Sequence, residues 1–273
     1  NNFLKTKEEL GFTKSNMEKF NSLLEVPNGI ILAAGPTGSG KTTTLYAALY
    51  ELNKMNKNII TIEDPVEYKI EGINQVQVNT KSGLLFSTGL RSILRQDPNI
   101  IMVGEIRDEE TAEIAVRAAI TGHLVISTIH TNDAVSTIMR LIDMGIKPFM
   151  AAASLRGIVA QRLVKKVCMN CMEEYVANSS EKKLLNVTGN IKLKRGKGCP
   201  KCYYTGYSGR IAIHEILKID KVIRDAIQNS ESNDNITALA KNAGMKTLKD
   251  NCRELVLTGV TTMEEYSQVV YKI

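Results

Sequence analysis

Ile30-Ile31-Leu32-Ala33-Ala34-Gly35-Pro36-Thr37-Gly38-Ser39-Gly40-Lys41-Thr42 decides the reading of this chain. The first five residues form a short, continuous, partly β-branched apolar run, which suits a strand buried on both faces of a parallel sheet. Gly35 to Thr42 then satisfies Gly-x-x-x-x-Gly-Lys-Thr in full, and helical spacing follows it. Glycines let backbone N–H groups turn inward around phosphate oxygens, and a helix that starts there points its positive end at the same place. The spacing therefore predicts a phosphate loop in which Lys41 reaches the β- and γ-phosphates of ATP and the Thr42 hydroxyl ligates Mg²⁺. Pro36, Thr37, Gly38, Ser39, Gly40 and Thr43 complete the nucleotide-binding loop. The competing explanation is a Gly-rich turn that fits by chance; the strand–loop–helix context weighs against it.

Outward from this loop, further apolar runs at Ile59–Ile62, Ile100–Val103 and Leu124–Ile129 alternate with helical candidates at Thr43–Leu52, Leu84–Arg95, Thr111–Ala119 and Val135–Leu141. Alternating strands and helices predict a parallel α/β sheet. Before it, residues 1–28 read as a helical lead-in with apolar Phe3, Leu4, Leu10, Phe12, Met17, Phe20, Leu23 and Leu24, broken by Pro27-Asn28-Gly29. The composition changes near Lys165. We expect an ATPase core over 1–165, a Cys-, Lys- and Gly-rich subdomain over 166–209, and a final strand (Arg210–Leu217) with helices over 210–273.

Ligands of open α/β sheets sit beyond the carboxyl ends of the strands. Glu63 follows the run ending at Ile62, and Glu105 follows the run ending at Val103. A nucleotide hydrolase needs one carboxylate for Mg²⁺ and one to position or deprotonate water, and these two are the candidates; spacing does not divide the roles. A lone Glu here would read as an exposed loop residue, but two beside a phosphate loop read as a site. His130 ends the fourth strand and is placed to sense the γ-phosphate. His123 opens that strand, an odd number of residues away, so joint metal binding is disfavoured; His123 and His214 read as structural. Arg91 and Arg95, four apart, share a helical face, either as a solvated basic surface or as charge compensation for the γ-phosphate.

Cys168-x-x-Cys171 and Cys199-x-x-Cys202 are two knuckles with 27 residues between them. Two such turns complete a tetrahedral Cys₄ site suited to structural Zn²⁺; an iron–sulfur cluster or a redox dithiol pair is the alternative. The intervening segment is poor in core residues, so a metal staple makes sense there. Cys252, alone in a helical stretch, reads as a small buried apolar residue.

The bulk values exclude more than they assign. Of 273 residues, 43% are hydrophobic and 23% charged, ordinary for a globular chain. No apolar stretch approaches eighteen residues, so no membrane-spanning helix is expected. The net charge of +6 decides nothing alone, and only 5% aromatic residues with no Trp disfavours stacking on single-stranded nucleic acid. The chain begins at Asn1 without a signal core and reads as a piece of a longer protein, in a reducing, cytoplasmic setting.

Four boxes in order carry a family resemblance: Gly35–Thr42 with Thr43-Thr44-Leu45-Tyr46; Thr61-Ile62-Glu63-Asp64-Pro65-Val66-Glu67-Tyr68; Leu90-Arg91 through Arg95-Gln96-Asp97-Pro98 to Met102-Val103-Gly104-Glu105-Ile106-Arg107-Asp108; and Thr121-Gly122-His123 to Ser127-Thr128-Ile129-His130-Thr131-Asn132. Over nearly its whole length the chain resembles the PilB- or GspE-like ATPases of type IV pilus and type II secretion systems. The resemblance implies a RecA-like P-loop core plus a zinc subdomain and a C-terminal helical region. It also implies a cytoplasmic homohexamer that hydrolyses ATP against an inner-membrane platform protein, without direct nucleic acid. It gives Glu105 the Walker B role, Glu63 a place near metal and water, and Arg91 and Arg95 an approach to the γ-phosphate. The four-cysteine element marks assembly motors, whereas retraction motors carry an Ala-Ile-Arg-Asn-Leu-Ile-Arg-like motif that does not occur here. Family members also carry an N-terminal half, without which this portion is expected to bind ATP but hydrolyse it poorly. A composition rich in Lys, Asn and Ile inclines the reading to pilus assembly over type II secretion. A RecA-like nucleic-acid translocase and a non-catalytic zinc-stapled nucleotide module remain the competitors.

Overall fold

The computed structural model describes residues 6–54 and 56–271. Helix α1 (Lys14–Leu24) starts where the Thr13 side chain accepts from the Asn16 N–H. It is shorter than the apolar spacing over 1–28 implied, because residues 7–11 form turns that bring Phe12 onto Phe20, with ring centroids 5.0 Å apart. Phe3 and Leu4 lie outside the described residues. Next come β1 (Gly29–Ala34), α2 (Lys41–Leu52), β2 (Ile59–Glu63), β3 (Asn74–Gln77), α3 (Phe86–Ile93), β4 (Ile100–Val103), α4 (Glu109–Ile120), β5 (Leu124–Ile129), α5 (Ala134–Asp143), α6 (Pro148–Ser154) and β6 (Leu155–Val167). The second half holds β7 (Met172–Val176), α7 (Ser179–Leu185), β8 (Lys192–Gly196), β9 (Tyr207–Lys218), α8 (Lys221–Gln228), α9 (Asn233–Asn242), α10 (Leu248–Leu257) and α11 (Met263–Tyr271).

The main sheet has the order β3-β2-β4-β5-β1-β6-β9. Its neighbours are parallel except β6 and β9. The strand carrying the phosphate loop is thus internal, flanked by β5 and β6. Side chains of a strand alternate between faces, and β1 divides accordingly. Ile30, Leu32 and Ala34 join one apolar cluster with residues of α3 to α6, while Ile31 and Ala33 join another with Phe20, Leu23, Leu45 and Leu49 of α1 and α2. A strand between two helix layers must be apolar at every position, which is why the four runs read as continuous.

Several elements depart from expectation. The helix expected over Leu84–Arg95 ends at Ile93, and residues 94–96 tighten into a 3₁₀ turn. The strands β3, β6, β7 and β8 and the helices α6 and α7 had no counterpart in the sequence reading. β6 is interrupted by Gln161, Arg162 and Lys165, and so lacks the unbroken apolar run of the other central strands. It crosses position 165, and β9 pairs with it from Gly157↔Lys218 to Val167↔Tyr207. The strand expected at Arg210–Leu217 therefore completes the main sheet rather than standing in a separate unit. The Cys-rich segment is also not devoid of core: Ala177, Leu185 and Leu193 are buried and join the same cluster as Cys252 and Tyr266.

Candidate nucleotide site and metal centre

The loop after β1 is shaped by its glycines. Gly40 has φ +88°, and a Cβ there would stand 2.8 Å from Gln161 Nε2; a Cβ on Gly35 would come within 2.5 Å of the Gln161 carbonyl oxygen. Gly40 is also the N-cap of α2 and supplies no capping side chain, so the first N–H groups of that helix remain open to an anion. Lys41 is buried, and its Nζ donates to the carbonyls of Gly35 at 2.8 Å and Pro36 at 3.0 Å. Burial pushes its ammonium below the ordinary lysine range, while the Glu105 charge opposes that shift. Gln161, buried on β6, braces the loop from behind: its Nε2 donates to the Ser39 carbonyl at 2.9 Å and its Oε1 accepts from Thr44 Oγ1 at 2.7 Å.

The two glutamates differ in setting. Glu63 is buried at the end of β2; Oε1 accepts from Thr61 Oγ1 at 2.5 Å and from Gln75 Nε2 at 3.1 Å, and Oε2 accepts from the Tyr46 hydroxyl. Burial first, then this hydrogen bond, push the Tyr46 phenol well above its usual range, so it remains a donor. Glu105 has no such cage. Its Oε1 lies 2.6 Å from Arg107 Nη2 and its Oε2 lies 3.5 Å from His130 Nε2. Hydrogen bonds lock its turn to β5: Thr128 Oγ1 donates to the Gly104 carbonyl at 2.7 Å, and the Ile106 N–H donates to the Thr128 carbonyl at 2.9 Å. Burial and then Lys41 push the His130 imidazole below its usual range, against the pull of Glu105.

A cavity of about 530 Å³ opens between these groups, lined by Thr37, Gly38, Gly40 to Thr43, Tyr46, Glu63, Glu105, Arg107 and His130. Pro36 and Ser39 instead line an adjoining recess of about 220 Å³, with Thr37, Gly38, Arg162 and Glu265. There the Ser39 hydroxyl and Arg162 Nε are buried without a hydrogen-bond partner among the described residues, a setting that an added polar ligand would complete. Thr42, Glu63 and Glu105 all face the larger cavity, so the oxygen donors present fit a hard divalent cation beside a triphosphate.

Arg91 and Arg95 are not brought here. Arg91 Nη1 pairs with Glu110 at 2.6 Å on an exposed surface, and Arg95 sits exposed in the 3₁₀ turn. The shared-face argument needed an unbroken helix across both, and the helix ends between them. Arg107, two residues beyond Glu105, lines the cavity instead. His123 is peripheral, its Nδ1 3.0 Å from the Ala118 carbonyl oxygen, and His214 is buried against Phe12. Arg107, Gln161 and Arg162 had no role in the sequence reading; only Arg107 carried a signal, as a cation in the turn after a strand-end glutamate.

The four cysteines do meet. Their sulfurs lie within 4.8 Å of one another, and none forms a disulfide. Cys168–Cys199, Cys171–Cys202 and Cys199–Cys202 Sγ separations are 4.0, 3.8 and 3.7 Å. A tetrahedron with Zn–S bonds of about 2.3 Å has an edge of about 3.8 Å. The donor set and spacing thus fit a structural zinc, which would fasten the β7–β8 ribbon to the ends of β6 and β9.

A family model described as "Type II/IV secretion system protein" matches residues 1–268. The chain is 50% identical over 264 residues to the type II secretion system protein E of Dickeya dadantii, across 96% of this chain and 52% of that protein. It is 49% identical over 262 residues to the type IV pilus assembly ATPase PilB of Thermus thermophilus, across 94% of this chain and 30% of that protein. The crystal structure of the pilus retraction motor PilT with bound ADP superposes with a TM-score of 0.73 at 30% identity, across 98% of this chain and 68% of that one. The chain therefore spans about half the length of the first relative and less than a third of the second.

Proposed function

We propose that this chain, which belongs to the type II/IV secretion system protein family, is the ATP-hydrolysing motor portion of a type IV pilus assembly ATPase. The observation that carries the reading is the convergence of Lys41, Thr42, Glu63, Glu105 and His130 on one cavity beside an uncapped helix N-terminus. ATP lies with its phosphates in the Gly35–Thr42 loop and its base toward the recess at Arg162. Thr42 and Glu105 would hold Mg²⁺, which would neutralise phosphate charge when bound. Glu63, fixed by Tyr46, Thr61 and Gln75, orients the attacking water and takes its proton. The new bond forms between the water oxygen and the γ-phosphorus while the bridging oxygen bond to the γ-phosphorus breaks, leaving ADP and phosphate. Lys41 and the loop amides hold the charge that develops on the oxygens.

The direction of work is filament assembly. The Cys₄ cluster, together with near-50% identity to a PilB and to type II secretion E proteins, supports an assembly motor over a retraction motor. We place the full-length protein as a homohexamer at the cytoplasmic face of the membrane, peripheral to it through a platform protein. No described helix is long and apolar enough to cross a membrane. A type II pseudopilus motor is the second reading, favoured by the 50% identity to protein E. Deleting the gene and complementing it with wild type or Lys41→Ala separates them. Surface pili restored by wild type alone support pilus assembly, whereas restored secretion with unchanged piliation overturns it. Stimulation of ATPase activity in the full-length protein by DNA or RNA would favour a translocase.

A further inference from the structure

Three of the most exposed large apolar side chains of this protein crowd around one cluster of cysteines. Tyr203 is 88% exposed, Met169 76% and Tyr204 75%. Met169 lies inside the first knuckle and the two tyrosines directly follow Cys202, so all three flank sulfurs that lie within 4.8 Å of one another. The other tyrosines of this element are anchored. The Tyr175 hydroxyl donates to Glu181 at 2.7 Å, and the Tyr207 hydroxyl donates to Glu264 at 2.8 Å. Tyr203 and Tyr204 have no side-chain partner among the described residues. Their outward course is built into the backbone. Both adopt left-handed conformations, φ 50° and 59°, which bulky residues rarely visit, and N–H bonds to the carbonyls of Pro200 at 3.2 Å and Cys199 at 2.9 Å hold them there.

The surroundings are cationic. Residues 166–209 contain eight Lys or Arg against three Glu, a net +5 of the chain's +6. Four thiolates on a divalent ion would withdraw two charges and leave the element positive. Lys201 stands within the second knuckle and Lys166 just before the first; both are exposed, and neither pairs with a carboxylate among the described residues.

We infer that the knuckle tip, presenting Met169, Tyr203 and Tyr204 amid Lys166 and Lys201, docks directly onto a bilayer surface rich in anionic headgroups. Amphipathic tyrosine rings sit well at headgroup depth, and clustered lysines are attracted to an anionic leaflet within a Debye length. An acidic protein face would match the charge but gives no reason for two adjacent, fully presented aromatic rings and a methionine at the apex. The inference is independent of the nucleotide chemistry and adds a direct lipid contact to a protein placed above at the membrane only through partners.

The test uses the zinc-loaded chain with sedimented vesicles of phosphatidylcholine alone or mixed with phosphatidylglycerol. Partition is expected to be at least about ten-fold stronger with phosphatidylglycerol and to weaken as salt is raised. Tyr203→Asn with Tyr204→Asn, substitutions that tolerate the left-handed backbone, should lower it at least about ten-fold with zinc content and circular dichroism unchanged. Because the chain has no Trp, Tyr203→Trp makes a single reporter whose emission should shift to the blue on phosphatidylglycerol vesicles. Equal or absent partition of the wild type on both vesicles, unshifted emission from the Tyr203→Trp variant, or full binding by the double variant overturns the inference. So does capture by polyglutamate without vesicle partition, which would identify an acidic protein as the partner.

Discussion

His130 Nε2 stands 3.5 Å from Glu105 Oε2 although the two residues follow different strands, β5 and β4. Both face the cavity that Lys41 enters from the phosphate loop. A change of charge on phosphates bound there would therefore be felt by Glu105 and His130 together. Four residues beyond His130 begins α5, whose first N–H, at Ala134, donates to the buried Glu215 at 2.8 Å; the other oxygen of Glu215 accepts from Leu248, at the start of α10, at 3.1 Å. This continuity links the site to the C-terminal helices.

The two glutamates separate by metal dependence. Glu63→Gln and Glu105→Gln should each lower kcat by about 10²-fold or more. Only Glu105→Gln should raise the Mg²⁺ concentration needed for half-maximal turnover, because Glu63 is already committed to three donors. Steady-state assays across a Mg²⁺ titration read this, and equal Mg²⁺ dependence would reverse the assignment.

Gln161→Leu should loosen the phosphate loop without unfolding the sheet. The substitution removes the donor to the Ser39 carbonyl and the acceptor for Thr44, at a cost of about 1–3 kcal/mol for buried groups left unpaired. Weaker binding of a fluorescent ATP analogue, with a cooperative melt retained, is the expected result. Unchanged affinity would remove Gln161 from the loop's support.

Zinc analysis should return about one ion per chain. Cys171→Ser should lose the ion and speed amide exchange over β7 and β8 more than over β1 and β5, because β1 and β5 also pack on a second apolar cluster, with α1 and α2, that includes no residue of the ribbon. Iron in its place, or uniform loss of protection, would contradict a structural zinc staple.

Acid should find His214. Its ring is buried and stacked on Phe12 at 3.8 Å, its nitrogens have no hydrogen-bond partner among the described residues, and burial pushes its pKa down to about 3. Between the unfolded value near 6.5 and about 3, the unfolded chain binds a proton that the folded chain refuses. Stability therefore falls as pH drops through this window, by up to about 1.4 kcal/mol per unit from this group. His214→Leu should flatten that slope in urea titrations between pH 6.5 and 4; an unaltered slope would show that other groups carry it.

What the sequence by itself determined is local. The phosphate loop, the strands at Ile30, Ile59, Ile100 and Leu124, and both cysteine knuckles are written within windows of a few residues, because burial on two faces, glycine torsions and two-ligand turns each leave a short-range pattern. The glutamates at strand ends follow from those runs. The tertiary structure alone decided which distant groups meet. Strand order puts β6 beside β1, and only then does Gln161 reach Ser39. Packing of α2 on β1 and β5 brings Tyr46 onto Glu63. Arg91 lies on the exposed face of α3 and Arg95 in the turn beyond its end, which leaves Arg107, among the described residues, as the arginine lining the larger cavity. Such contacts join residues far apart in the chain, and no local periodicity records them.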